Sequence, residues 1–308
     1  MKIVFFGTPQ FAVASLEALS LTPGVEILAV VTQKDKPIGR KQKITQTPVK
    51  QKAIQLEVKV LDSDIVKKLE NVKADFFVVI AYGEILPNTL LNKPKYGCIN
   101  VHASLLPKYR GASPIQECLL NGDKETGVTI MKIDSKMDHG AVYLLKKLAI
   151  DKSDNIETLT KKLSELSAKI LPFTLKDIEE GRLSTIQQNE LKASYCRKVK
   201  KEDGKIDFKK QTATEIVNMI KAYTPWPSAF ANFKDKKIKI LAAESSDTQL
   251  PAGTMVVDGK ILKIGTKKGC LLPLKLQPEG KNPMDISAFL NGYKTFFTET
   301  VPAKATNK

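Results

Sequence analysis

The chain contains no run of about 18 apolar residues, the length that a bilayer-crossing helix needs, so no helical membrane span is expected. Its first residues, MKIVFFGTPQF, pass straight into a strand-like pattern. They lack the longer apolar region and small-residue cleavage site of a secretory leader, and the reading is a cytoplasmic protein. Cysteine is scarce. Cys98, Cys118, Cys196 and Cys270 lie far apart with no Cys-x-x-Cys pair, which argues against a disulfide framework and against a zinc site. Histidine is scarcer still: His102 and His139 are poor material for a metal centre, and no metal is expected. A glycine-rich phosphate fingerprint is also missing, because Gly7 stands alone after the first strand-like run.

What the chain does have is positive charge, +16 over 308 residues, with 42% hydrophobic residues to build a core. A polyanionic partner is one reading, since clustered Lys and Arg displace counterions from a phosphate backbone. A lysine-decorated solvated surface is the other. Residues 209–308 hold 16 Lys, no Arg and 8 acidic residues, for +8; the first 208 residues carry the other +8, so the C-terminal part is about twice as densely charged.

The patterning suggests a doubly wound α/β domain followed by a smaller β domain. Residues 2–6 read as a strand closed by Gly7, with Thr8 as N-cap and Pro9 in the first turn of a helix over 10–19. A second strand spans 26–32, then a basic irregular loop, 33–50. Helix, strand and helix are expected near 48–56, 58–61 and 63–69. ADFFVVI, 74–80, is apolar throughout, as in a parallel strand buried on both faces. Strands at 98–102 and 127–133 flank a helix at 113–120, and three carboxyl ends (after 80, 102 and 133) converge on one crevice, where open α/β sheets bind ligands. An antiparallel edge strand is expected at 142–150. Over 155–180, Ile156, Leu159, Leu163, Leu166, Ile170 and Ile178 fall at mostly helical spacing, and Gly181 stops that helix. The first domain is therefore taken as 1–181, with 182–208 a polar linker exposing Arg197, Lys198, Lys200 and Lys201. In 209–308, a helix over 212–223 meets Thr224-Pro225-Trp226-Pro227, where the prolines stop it. Trp226 suits a packing anchor better than a stacking surface. Short β-like runs at 237–242, 253–257, 260–265 and 269–276 then suggest a small barrel, with a short helix at 285–290 and a frayed end from 303.

One stretch carries chemistry: GCINVHASLLPKYRG, 97–111. Strand alternation points Asn100 and His102 the same way, a tight turn (Ser104, Leu105, Leu106, Pro107) follows, and Lys108-Tyr109-Arg110-Gly111 makes a basic loop. Lys136-Met137-Asp138-His139-Gly140 is a turn holding a lone carboxylate. Together, Asn100 as donor to an oxyanion, His102 as proton or charge carrier and Asp138 as its orienting partner would suit an acyl-type carbonyl. A structural histidine and ordinary Asp–Gly turn chemistry would account for the same residues one by one.

NVHASLLPKYRGASPIQ, with GDKETGVTIMKID and MDHG, resembles the signature of the formyltransferases that use 10-formyltetrahydrofolate, and similarity continues from FFGTPQFA to LQPEGKNPM and FLNGY. The resemblance implies a Rossmann-like catalytic domain with an OB-like barrel behind it. It implies formyl transfer from 10-formyltetrahydrofolate to the α-amine of initiator methionyl-tRNA, with Asn100, His102 and Asp138 catalytic. By the same resemblance Ser104, Leu105, Leu106 and Pro107 meet the pterin through backbone groups. Arg40, in a Pro-x-Gly-Arg segment, and its neighbours Lys41 and Lys43 would face the tRNA acceptor stem. Related enzymes formylate glycinamide ribonucleotide or amino-sugars, or release formate; the basic loop and basic C-terminal region favour tRNA. A catalytically dead RNA-binding protein is the reading from another class, and the intact Asn100, His102 and Asp138 argue against it. His139 departs from the family, where a small or acidic residue is usual: it is read as a neutral surface change, the other reading being a perturbed charge on Asp138. The chain is expected to act as a monomer.

Overall fold

The computed structural model describes residues 1–38, 42–233 and 236–293, so Arg40, Lys41, Lys234 and the segment from 294 lie outside the described residues. Two compact units are present. One holds Met1–Ile115, Lys124–Lys152 and Glu157–Arg197; the other holds Gln116–Asp123, Ser153–Ile156 and the chain from Lys198. The stretch expected as a linker, 182–208, is thus divided between them at 197/198 rather than free of both.

In the first unit β1 (Lys2–Gly7), α1 (Val13–Ser20) and β2 (Glu26–Val31) come first, then β3 (Lys36–Ile38) and β4 (Lys43–Thr45). There follow α2 (Pro48–Gln55), β5 (Val60–Leu61), α3 (Ile65–Lys68), β6 (Phe76–Ile80), α4 (Asn88–Leu91), β7 (Cys98–His102), β8 (Arg110–Gly111) and α5 (Pro114–Leu120), whose residues from Gln116 on belong to the second unit. β9 (Glu125–Lys132), β10 (Val142–Ala149), α6 (Ile156–Glu179) and β11 (Tyr195–Cys196) complete the series. The main sheet runs β10-β9-β7-β6-β1-β2-β5. From β5 to β7 it is parallel, the doubly wound arrangement expected, and Phe76, Phe77, Val78 and Ile80 are wholly buried as the apolar run required.

Several local expectations change. β9 runs antiparallel to β7, pairing Thr129 with His102 and Lys132 with Ile99, so its carboxyl end lies at the opposite end of β7 from the crevice. Only two of the three expected strand ends converge; Asp138 arrives on the β9–β10 loop instead. Thr8 caps no helix: its hydroxyl donates to the Tyr82 carbonyl at 2.8 Å, tying β1's exit to β6's, while a 3-10 turn at Gln10–Ala12 leads into α1. The basic loop contains a short hairpin, β3 with β4, and Thr47 caps α2 through the Lys50 amide. On α6 the buried stripe runs Leu159, Leu163, Ser167, Leu171, Leu175 and Ile178, and Leu166 and Ile170 only flank it.

In the second unit come α7 (Ala213–Tyr223), β12 (Ala229–Phe233), β13 (Lys236–Ser246), β14 (Met255–Asp258), β15 (Ile261–Gly265), β16 (Cys270–Pro278), β17 (Met284–Asp285) and α8 (Ile286–Gly292). Thr212 and Glu215 close a capping box on α7, an unanticipated detail that fixes the helix start. The strands form one antiparallel sheet, β12-β13-β16-β15-β14, with β17 also on β16. Register shifts at Ile240/Ala242 and Ala242/Ala243 bend the 11-residue β13, as an OB-like fold needs to curl its sheet. Phe233, Ile238, Met255, Leu262, Ile264, Leu276 and Phe289 line one apolar cavity of this unit. Trp226 is 58% exposed, so the packing-anchor reading fails.

Candidate active site

Strand alternation does bring Asn100 and His102 to one side of β7, and the β9–β10 loop folds over them to deliver Asp138. Asn100 Nδ2 donates to Asp138 Oδ1 at 3.3 Å, and His102 Nδ1 lies 3.7 Å from the same oxygen. The Gly111 amide donates to Asp138 Oδ2 at 2.8 Å. The carboxylate is therefore seated by three residues from two segments, β7 and β8. His102 is buried, and its Nε2 is 2.9 Å from the Tyr109 carbonyl. A carbonyl accepts only, so Nε2 carries hydrogen, and Nδ1 is the nitrogen that faces Asp138. The amide of Asn100 has a second N–H beyond the one given to Asp138, and that one suits a nascent oxyanion.

Ser104, Leu105, Leu106 and Pro107 form the turn after β7, held largely by Thr129 of β9 and by Ser194. Thr129 on β9 donates its hydroxyl to the Ser104 carbonyl at 2.6 Å and accepts from the Leu106 amide at 3.1 Å. The Lys108 amide donates to the Leu105 carbonyl and the Ser194 amide to that of Pro107. Leu105 is half-buried and Leu106 packs with Met131 and Val142. Lys43, on β4, is exposed.

Arg110 is where the structure departs furthest from the sequence reading. It is not a basic-loop residue in solvent but 1% exposed, and its five N–H groups meet Gln188 Oε1 twice, Glu190 twice and the Tyr195 hydroxyl, at 2.6–3.1 Å. Gln188 and Glu190 come from the supposed linker. That segment wraps back, pairing Ile186 with Val142 and β11 with β8. The pairing with Glu190 holds the Arg110 guanidinium above its ordinary range, and Arg110's hydrogen bond in turn holds the Glu190 carboxyl below 4.5. His139 stands away from Asp138's carboxylate: Nδ1 is 2.7 Å from Asp134 Oδ2 and Nε2 is 3.4 Å from Glu190 Oε1. Its departure from the family pattern therefore feeds the Glu190 network, not Asp138's charge. Burial pushes the Cys98 thiol up to about 12, so it offers no thiolate nucleophile near neutral pH.

The depressed Glu190 has a testable sign. Because its pKa is lowered on folding, its pairing supports stability above pH 4.5 and loses that support as pH falls below. Melting temperatures of wild type and Glu190→Gln should differ by a constant amount well above pH 4.5 and converge as pH falls below it. A gap that persists unchanged at the acid end would contradict this.

Comparison with known proteins agrees with this geometry. A formyl transferase family model matches residues 1–175 and a formyl transferase C-terminal domain model matches 198–294. The methionyl-tRNA formyltransferase of Thermodesulfovibrio yellowstonii is 42% identical over 298 residues, spanning 95% of this chain and 96% of that protein. That of Listeria welshimeri is 42% identical over 300 residues, with 94% and 95% covered. Among solved structures, an N-formyltransferase of Helicobacter canadensis, in complex with folinic acid and dTDP-3-aminofucose, is similar in fold, with a TM-score of 0.68, 21% identity and 89% and 98% of the two chains covered. By near end-to-end similarity and by domain composition, this chain belongs to the methionyl-tRNA formyltransferases of the formyl transferase family.

Proposed function

We propose that this chain transfers the formyl group of 10-formyltetrahydrofolate to the α-amine of initiator methionyl-tRNA in the cytoplasm, with Asn100, His102 and Asp138 as the catalytic group. The observation that carries the reading is the gathering of Asn100 and His102 on the Asp138 carboxylate, within 3.3 and 3.7 Å. The neutral amine attacks the formyl carbon, whose oxygen becomes anionic in a tetrahedral intermediate. The second N–H of Asn100 donates to that oxygen, such a donor being worth about 3–4 kcal/mol of barrier, and a cationic His102, its Nε2–H held by the Tyr109 carbonyl, acts on it through charge. Asp138 takes the amine's proton, directly or through water; the carbon–N10 bond then breaks and N10 is protonated. No covalent enzyme intermediate is required.

The folate is assigned to the turn of Ser104, Leu105, Leu106 and Pro107. Its hydrogen bonds to Thr129 and Ser194 supply a rigid edge, and its remaining backbone groups and the half-buried Leu105 side chain are offered to the ring. The tRNA is assigned to Arg40, Lys41 and Lys43 of the basic loop and to the lysine-rich C-terminal unit. Formylation of charged initiator tRNA by the purified chain tests the whole reading: product with tRNA but not with amino-sugar nucleotides supports it, and the reverse overturns it.

The C-terminal assignment has its own test. On β13, Lys237 and Lys239 alternate with buried Ile238 and Ile240, and Lys237 Nζ lies 3.6 Å from the Phe230 ring centre. Reversing Lys236, Lys237 and Lys239 to Glu should weaken tRNA binding and flatten its log–log salt dependence by about 0.9 per lost phosphate contact, with kcat little changed at saturating tRNA. Binding isotherms at several salt concentrations measure this, and identical slopes would make these lysines surface decoration.

A further inference from the structure

The catalytic carboxylate sits on a turn whose backbone needs holding. Asp138 has φ = +50°, in the left-handed region that costs a non-glycine residue free energy. One side-chain amide spans that turn. Gln188 Nε2 donates to the Asp138 carbonyl at 2.9 Å and to the Gly140 carbonyl at 2.8 Å, using both of its hydrogens. Its other atom, Oε1, accepts from Arg110 Nε at 3.0 Å and from Nη2 at 2.8 Å. The amide has a single workable orientation: turned over, its NH2 would face the guanidinium's donors and its oxygen would face two carbonyls. Arg110 is itself fixed, buried to 1% exposure and pinned by Glu190 and the Tyr195 hydroxyl. His139, next to Asp138, reaches Glu190 from the other side at 3.4 Å.

We infer that Gln188 is a positioning residue for the reaction: oriented by Arg110 and Glu190, it clamps the 138–140 turn and sets the Asp138 carboxylate against Asn100, His102 and the Gly111 amide. The inference rests on the proposed catalytic role of Asp138, which Gln188 itself does not share, since it touches none of the reacting groups. Its chemistry separates two parts that a simple deletion would merge. A carboxylate at 188 still accepts from Arg110, and more strongly, but has no hydrogens for the two carbonyls and repels them.

The test compares the full chain, Gln188→Glu and Gln188→Ala by steady-state formylation kinetics, by thermal melting and by hydrogen exchange of the Gly111 amide. That amide reports the seat of the carboxylate directly through its 2.8 Å bond to Asp138 Oδ2. Gln188→Glu should keep its KM for both substrates within about twofold while kcat falls about tenfold or more, as a catalytic group displaced by a fraction of an ångström would give. Its Gly111 amide should exchange about tenfold faster, with a melting temperature no lower than that of Gln188→Ala. A kcat within about twofold of wild type, or an unchanged Gly111 exchange rate, in Gln188→Glu would overturn the inference. A wild-type chain that formylates no tRNA would instead remove the proposed activity, and the Gly111 exchange rates would still decide whether Gln188 holds the turn.

Discussion

Turnover of the His102→Ala chain should fall by about 10³-fold or more at saturating substrates, with tRNA binding and folding close to wild type. Two losses combine. The charge that meets the developing oxyanion disappears, and so does the ring that faces Asp138 through the 3.7 Å Nδ1 contact. The structural cost is smaller. Removing the imidazole frees one acceptor position on the Tyr109 carbonyl, which the Cys196 thiol also approaches at 3.5 Å, so the stability penalty is on the order of 1 kcal/mol. Single-turnover rates with preloaded enzyme separate chemistry from binding. Retention of more than about a tenth of wild-type activity, a barrier change under about 1.4 kcal/mol, would remove His102 from the catalytic group.

The elements with the most apolar sequence were the most legible. β1 and β6 follow directly from IVFF and FFVVI, because a strand buried on both faces has no alternation to misread. The pair Asn100 and His102 was equally legible, since a strand's period of two leaves no choice of face. The direction of β9 was not: GVTIMKI is as apolar as a parallel strand, and only its pairing with β7 and β10 makes it antiparallel. Thr8 satisfied every local rule for an N-cap and was taken by a longer-range partner, the Tyr82 carbonyl. Arg110, Gln188 and Glu190 were invisible to periodicity, being polar residues on loops brought together over 78 and 80 residues. One signal was available. With only 4 Arg among 49 basic residues, an arginine in this lysine-rich chain marks a place where a planar five-donor fork is needed.

The remaining large effect concerns the charge of Asp138 apart from its position. Asn at 138 tolerates the left-handed backbone that φ = +50° demands, so Asp138→Asn should keep the turn and a melting temperature near wild type. Its amide cannot reproduce the carboxylate's contacts. If its oxygen accepts from the Gly111 amide, its NH2 faces the donating amide of Asn100 and Nδ1 of His102. That NH2 then donates to a bare Nδ1, which holds the imidazole neutral with its hydrogen on Nε2. The cation for the oxyanion and the acceptor for the amine's proton are both lost. We expect kcat to fall about 10²–10⁴-fold, with KM for both substrates nearly unchanged. Asp138→Ala should lose activity to a similar degree and in addition melt lower, because alanine resists the left-handed turn by about 1 kcal/mol and leaves Gly111 without its acceptor. If Asp138→Asn instead stayed within tenfold of wild type while Asp138→Ala did not, the carboxylate's negative charge would have no part in the chemistry, and Asp138 would serve the site only as an anchor for Asn100 and Gly111.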